Sequence, residues 1–114
     1  MKGLLLGLAL FSSTIHAATV CYKSDLFAIS SVDFIIKNAE QLEVSWARFD
    51  NLMFTWEKCI TIDESKYSVT VDVYHLTGLV WEPVANTCKY ENIKKNMKVV
   101  AHGTTLNYHC TTEE

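Results

Sequence analysis

Residues 66–76 read KYSVTVDVYHL and alternate strictly between two sets of side chains. Tyr67, three valines and His75 share one parity, while Tyr74 and the serine, threonine and aspartate share the other. Because successive side chains of a strand point to opposite faces, this segment predicts a half-buried β-strand. A second apolar run at 79–81 follows Thr77 and Gly78, so the two runs are predicted to form a hairpin.

Similar alternating runs precede and follow this strand in the sequence. Further strands are predicted at 32–37, 41–49, 52–62, 78–82, 97–101 and 104–110. Residues 18–31 fit a first strand or a short helix, and residues 90–96 fit one helical turn or a long loop. Six to eight short strands with turn signals between them predict an all-β fold. It would be a compact antiparallel β-sandwich or a small barrel, with two disulfides.

The first 17 residues have the features of a secretory signal peptide. Lys2 gives a positive start, residues 3–11 are apolar, and Ala17 offers a small residue at the cleavage point. The apolar run is shorter than the roughly 20 residues that cross a bilayer. We therefore expect residues 1–17 to be removed. Residues 18–114 would then form a single exported domain, secreted or periplasmic, with no stable membrane span.

The cysteines Cys21, Cys59, Cys88 and Cys110 all lie in the expected mature chain. An even number in a short exported chain predicts two disulfides, and four cysteines allow three pairings. We favour Cys59–Cys88, which would brace the central hairpin, with Cys21–Cys110, which would tie the chain ends together. Cys59 has the parity opposite its apolar neighbours, so we expect it to face away from the core. No close pair such as C-x-x-C is present, so no metal site is predicted.

Charge and motifs narrow the classes of function. The expected mature chain has nine basic and thirteen acidic residues, a net charge of −4 with neutral histidines. A mildly acidic surface argues against nucleic acid and against anionic membranes as partners. The sequence has no nucleophile elbow, Walker loop, dinucleotide fingerprint or calcium loop, so no cofactor is predicted.

Two single residues are candidate binding residues. His75 is the last residue on the apolar face of the 66–76 strand. A histidine there can bind a ligand or titrate. Alternatively, it can form a hydrogen bond with the backbone at the rim of the core. Trp81 ends a short strand just before Pro83. An aromatic side chain in that position either fills the core or is presented to a partner.

A lysine cluster stands out in this acidic chain and consists of Lys89, Lys94, Lys95 and Lys98. Such a cluster can meet an acidic protein surface or a sulfated glycan. It is equally consistent with a solvated loop, since runs of charge in loops are commonly only hydrated.

The sequence favours an exported binding or interaction domain that recognises a protein partner or a small apolar ligand without catalysis. One alternative is a small exported hydrolase that uses His75 or His102. Another is a purely structural surface component. Since residues 84–98 combine the lysines with the least strand-like pattern, we expect function there first.

Overall fold

The computed structural model describes residues 16–77 and 84–114, which form eight β-strands and no helix. The strands are β1 Ala17–Phe27, β2 Ser30–Lys37, β3 Glu43–Leu52, β4 Glu57–Asp63, β5 Ser68–Leu76, β6 Val84–Ile93, β7 Met97–Thr104 and β8 Tyr108–Glu113. In the described residues no helix is long and apolar enough to cross a bilayer. Most of the predicted leader, residues 1–15, and the predicted strand at 78–82 with Trp81 lie outside the described residues.

The strands form two four-stranded sheets. The first sheet has the order β4-β1-β7-β8 and the second the order β3-β2-β5-β6. All neighbouring strands are antiparallel except β1 and β7, which run parallel. The predicted all-β sandwich with two disulfides is therefore confirmed, and the parallel pair is a departure from the antiparallel pattern that local alternation predicts.

The core lies between the two sheets and is built mainly from valine and aromatic side chains. Val69, Val71 and Val73 of β5 are fully buried, as the alternation predicts, and they share the core with Tyr22 and Phe34. The polar positions of β5 are also buried, Asp72 among them. The strands β2 and β6 cover the two edges of β5. On its outer face Asp72 is enclosed by Tyr74 and by Asn86 of β6. The strand β5 is therefore more than half buried.

Strand direction determines which loops meet. Within each sheet the odd-numbered strands share one direction and the even-numbered strands the other. Connections of two and four residues, at 28–29 and 53–56, link the sheets directly. The C-terminal ends of β1, β3, β5 and β7, with the described parts of the connections that follow them, therefore gather at one end of the sandwich. Those that follow β2, β4 and β6 gather at the other end.

The disulfides correct the predicted pairing, because the structure joins Cys21 to Cys59 and Cys88 to Cys110. The register of β1 and β4 puts Cys21 directly opposite Cys59, with Cα atoms 4.0 Å apart. Cys88 lies on β6 and Cys110 on β8, the edge strands of different sheets, and their Cα atoms are 6.4 Å apart. The exposure of Cys59 follows the parity prediction, so the outward-facing bridge lies across the first sheet.

Two further predictions were wrong. Residues 84–93 form β6, where the sequence pattern indicated a loop or a helical turn at 90–96. This edge strand is irregular: its register with β5 shifts twice, and Asn92 has a positive φ of 60°. The predicted strand at 52–62 is broken, because β3 ends at Leu52 and β4 begins at Glu57. Its apolar members Phe54 and Trp56 belong to a turn and are exposed.

Removing either disulfide should destabilise the domain to a similar extent. The bridges close sequence separations of 38 and 22 residues, which correspond to roughly 3–4 kcal/mol each on the chain-entropy treatment. We expect the double variants Cys21→Ala/Cys59→Ala and Cys88→Ala/Cys110→Ala each to lose about that much free energy of unfolding in urea titrations. Peptide mapping without reduction provides the direct check, and a peptide that joins Cys59 to Cys88 would contradict this pairing.

Candidate functional site

One end of the sandwich is covered with exposed apolar side chains, and we call it the apolar end. They come from the strand termini and connections that follow β1, β3, β5 and β7. The described members are Phe27, Ile29, Met53, Phe54, Trp56, Leu76, Val84, Leu106 and Tyr108. The described parts of the connections at this end, residues 28–29, 53–56, 77 and 105–107, contain no charged residue. An exposed apolar surface of this extent is typical of an interaction site.

The β3–β4 connection is fixed to the end of β1. Ser24 donates its backbone N–H to the carbonyl of Trp56 over 2.9 Å and accepts from the N–H of Thr55. The rings of Phe27 and Phe54 stack with centroids 4.4 Å apart. Phe27 is nevertheless 67% exposed. The aromatic side chains are therefore held in position while most of their surface stays open to solvent.

His75 fixes the β7–β8 connection from inside the sandwich. Its side chain is only 1% exposed, its Nδ1 lies 2.6 Å from Thr87 Oγ1, and its Nε2 lies 3.1 Å from the carbonyl oxygen of Thr105. A carbonyl can only accept, so Nε2 donates to it, and in the neutral ring Nδ1 accepts from the Thr87 hydroxyl. The ring also meets Tyr108 edge-on at 4.5 Å. These contacts hold the loop in which Leu106 is 78% exposed.

The other end of the sandwich, which we call the polar end, has the opposite character. Its connections at 38–42, 64–67 and 94–96 carry Glu40, Glu64, Lys66, Lys94 and Lys95. The turn at 63–65 is closed by Asp63, whose carboxylate accepts from the N–H and hydroxyl of Ser65. These hydrogen bonds lower the pKa of Asp63. The molecule is thus amphipathic along the strand direction, with Leu42 of the 38–42 connection as the exposed apolar exception at the polar end of the described chain.

A cleft of about 240 Å³ opens on the outer face of the second sheet next to the apolar end. Its polar side is formed by β3, where Asp50 and Asn51 stand opposite the single residue Ser31 in a β-bulge. Asn51 takes the positive φ of 58° that the bulge requires. Its rim toward the apolar end includes Ile29, Leu76 and Val84. The dipeptide Asp50-Asn51 is a turn signal in the sequence, whereas the structure places both residues within β3.

Two residues that line the cleft, Arg48 and Tyr74, are bonded to carboxylates outside its lining. Arg48 makes a bidentate ion pair with Asp33, with Nε–Oδ1 and Nη2–Oδ2 distances of 2.6 and 2.8 Å, and this raises the pKa of Arg48. Asp72 accepts from the Tyr74 hydroxyl and from Asn86, both over 2.8 Å. The hydrogen bond to Asp72 is the main reason that the pKa of Tyr74 is raised. Each of these carboxylates is thus satisfied by a neighbour.

The predicted lysine cluster is divided between the two sheets. Lys89 lies on β6 of the second sheet, 3.8 Å from Glu91, and Lys98 lies on β7 of the first sheet, 3.4 Å from Glu57. Lys95 pairs with Glu114 at 2.7 Å, and Lys94 is exposed in the β6–β7 connection. A shared binding role for the four lysines stays a prediction. Trp81 lies outside the described residues.

His102 and His109 stack on each other, and the four cysteines are bonded in two pairs. His102 and His109 are cross-strand partners on β7 and β8, and their rings stack 5.0 Å apart. Within the described residues, Cys21, Glu57 and Cys59 bring donor atoms within 4.8 Å of one another. Because the two sulfurs are bonded to each other, they are not thiolate ligands.

The apolar end is the feature that sequence reasoning missed. The sequence pattern leaves 26–29 (LFAI) open between a strand and a short helix and predicts a strand over 52–56 (LMFTW), since apolar residues commonly mark buried positions. Neither segment carries a charge, and both include residues of connections in the structure. An uncharged apolar connection without burial is typical of a contact surface.

Comparison with known proteins places the fold. No protein-family model matches the chain, and no curated protein matches its sequence. Solved structures do match. The membrane-binding domain of pneumolysin superposes with a TM-score of 0.64 at 14% identity, covering 86% of this chain and 96% of that domain. The chain has the fold of that domain.

Complete toxins match through a small part of their length. The cytotoxin suilysin from Streptococcus suis gives a TM-score of 0.69 at 18% identity, covering 86% of this chain and 23% of the toxin. Listeriolysin O gives 0.67 at 15% identity, covering 85% of this chain and 22% of its own. The chain therefore spans about a quarter of the full-length toxins that it resembles, and at these identities the likeness establishes the fold.

Replacing His75 should loosen the β7–β8 connection. His75→Ala leaves a cavity and an unpaired Thr105 carbonyl, so we expect it to cost about 2–4 kcal/mol of unfolding free energy. Hydrogen exchange at residues 105–107 should accelerate. The exposed His109→Ala is the matched control and should change stability by less than about 0.5 kcal/mol. Equal effects of the two variants would show that His75 does not hold this loop.

Proposed function

We propose that the protein is a non-catalytic binding domain that docks on the surface of an electrically neutral lipid bilayer through its apolar end. The observation that carries the proposal is the segregation of exposed side chains. Nine large apolar groups lie at one end. The charged connections lie at the other. A protein that meets a membrane end-on needs this distribution, because apolar groups enter the interface while charged groups stay in water.

The energetics are sufficient for reversible docking. Fully burying a leucine, phenylalanine or methionine side chain contributes roughly 1.5–3 kcal/mol. Met53, Phe54 and Leu106 are 47%, 43% and 78% exposed, so burying these three would contribute on the order of 2.5–5 kcal/mol, to which the other members of the apolar end add. The hydrogen bonds of Ser24 and His75 hold these loops in place before the protein meets a membrane. The entropy cost of ordering the loops on docking is therefore small.

Charge favours a neutral rather than an anionic bilayer. The expected mature chain carries a net charge of −4, and anionic lipids attract basic rather than acidic surfaces. The fold agrees with the proposal, since a protein domain named for membrane binding has the same architecture. The two disulfides support export, because such bonds persist in oxidising compartments. Docking would then occur outside the cell that makes the protein.

A protein partner is a second candidate, and a separate feature favours it. The side chains of Leu42, Val44 and Trp46 are exposed on and just before β3, the edge strand of the second sheet. An exposed edge strand with apolar side chains can pair with an extended segment of another chain. This row lies away from the apolar end, so the two candidates can be tested with different variants.

Truncating the apolar end should weaken membrane binding without unfolding the protein. Leu106 is already 78% exposed, so Leu106→Ser should leave stability nearly unchanged. We expect its affinity for phosphatidylcholine vesicles, measured by co-flotation, to fall about tenfold, which corresponds to the loss of one buried leucine.

Leu42→Ser is the matched control, since Leu42 is 62% exposed beside β3. It should bind vesicles as the unsubstituted protein does. If Leu42→Ser loses vesicle binding and Leu106→Ser keeps it, the membrane contact does not lie at the apolar end.

A further inference from the structure

The cleft beside the apolar end combines one unpaired carboxylate with apolar walls. Asp50 lines it, and within the described residues no ion pair or hydrogen bond engages the Asp50 carboxylate. Tyr74 adds an aromatic side chain, and Ile29, Leu76 and Val84 add aliphatic groups. A negative group next to aromatic and aliphatic carbon is the environment that an alkylated ammonium requires.

Arg48 gives the cleft a second, opposite charge. Its Nε and Nη2 atoms are used by Asp33, whereas Nη1 takes no part in that ion pair. The guanidinium is about half exposed and also lines the cleft. Because β3 runs toward the apolar end, Arg48 lies farther from that end than Asp50 does. Asp33 balances the charge of Arg48, which leaves Asp50 as the unbalanced charge of the cleft.

We propose that this cleft receives the headgroup of a zwitterionic phospholipid, with its choline or ethanolamine ammonium at Asp50 and Tyr74. This inference rests on the proposed membrane docking and specifies the lipid class. The cleft volume of about 240 Å³ exceeds the roughly 150 Å³ of an apolar cavity that binds benzene, so it has room for an ammonium with its methyl groups.

The position of the cleft agrees with the depth at which headgroups lie. Ile29, Leu76 and Val84 belong both to the rim of the cleft and to the apolar end. When that end enters the bilayer surface, the rim reaches the acyl boundary and the polar side at Asp50 stays among the headgroups. The bulge in β3 widens the sheet at this level, because two residues there occupy the space opposite one.

The test compares two uncharged surfaces with the same acyl chains, vesicles of phosphatidylcholine and vesicles of a glucosyl diacylglycerol. Asp50→Asn removes the charge and keeps the shape of the side chain. We expect it to lower affinity for phosphatidylcholine about fivefold and to leave affinity for the glucosyl lipid unchanged. Glu40→Gln, which removes one charge at the polar end, should change neither affinity.

A charge reversal gives a readout that misfolding cannot produce. Asp50→Lys should bind phosphatidylcholine more weakly than Asp50→Asn and should gain affinity for vesicles that contain phosphatidylglycerol. The headgroup assignment is overturned if Asp50→Asn binds phosphatidylcholine normally, or if it loses both uncharged lipids equally.

Failure of the proposed docking looks different. In that case the unsubstituted protein would bind neither kind of vesicle, and the assignment of the cleft would fall with it. If Leu106→Ser weakens binding to both lipids while Asp50→Asn leaves both unchanged, docking stands and only the headgroup assignment is wrong.

Discussion

The reversal of strand direction at every connection is the constraint on which this molecule depends. Because each strand runs opposite to the one before it in the chain, alternate connections meet at the same end. The chain has apolar residues after β1, β3, β5 and β7 and charged residues after β2, β4 and β6. Segments that are far apart in sequence thereby become one surface. No single loop supplies enough apolar area for docking, but the loops together do.

The core and its polar contacts make that surface rigid. Valines of β5 fill the space between the sheets, and Tyr22 of the first sheet bonds Ser30 of the second over 2.8 Å. Burial raises the pKa of Tyr22, as expected for a phenol in a core. The Cys88–Cys110 bridge links the edge strands of the two sheets. With His75 bonded to the carbonyl of Thr105, the β7–β8 connection that carries Leu106 is fixed to the core.

The alternation of residues along the chain correctly predicted the features that depend only on neighbouring residues. The alternation of residues 66–76 gave β5 and its buried valines, and parity placed Cys59 on the outside, because side-chain direction depends only on position along a strand. The disulfide pairing could not be predicted in the same way. It depends on β1 lying next to β4, a choice between distant strands that neither segment encodes alone. The strand β6 was missed because an irregular edge strand with polar residues has no clean period.

The apolar end was missed for a different reason. Phe54 and Trp56 have the parity of core residues, and an apolar side chain is normally buried. Their exposure violates that expectation, and such violations are typical of functional surfaces. The alternation that identifies strands cannot distinguish such exposed apolar residues from buried ones, because both have the same parity.

The orientation of the protein on a bilayer is the most direct test of this account. Amide signals can be followed by NMR on phosphatidylcholine bicelles that contain a lipid with a spin label in its acyl chain. We predict strong broadening at Ile29, Phe54 and Leu106, with Glu40, Glu64 and Lys95 unaffected. Broadening centred on Trp46 and β3, or at the polar end, would contradict end-on docking.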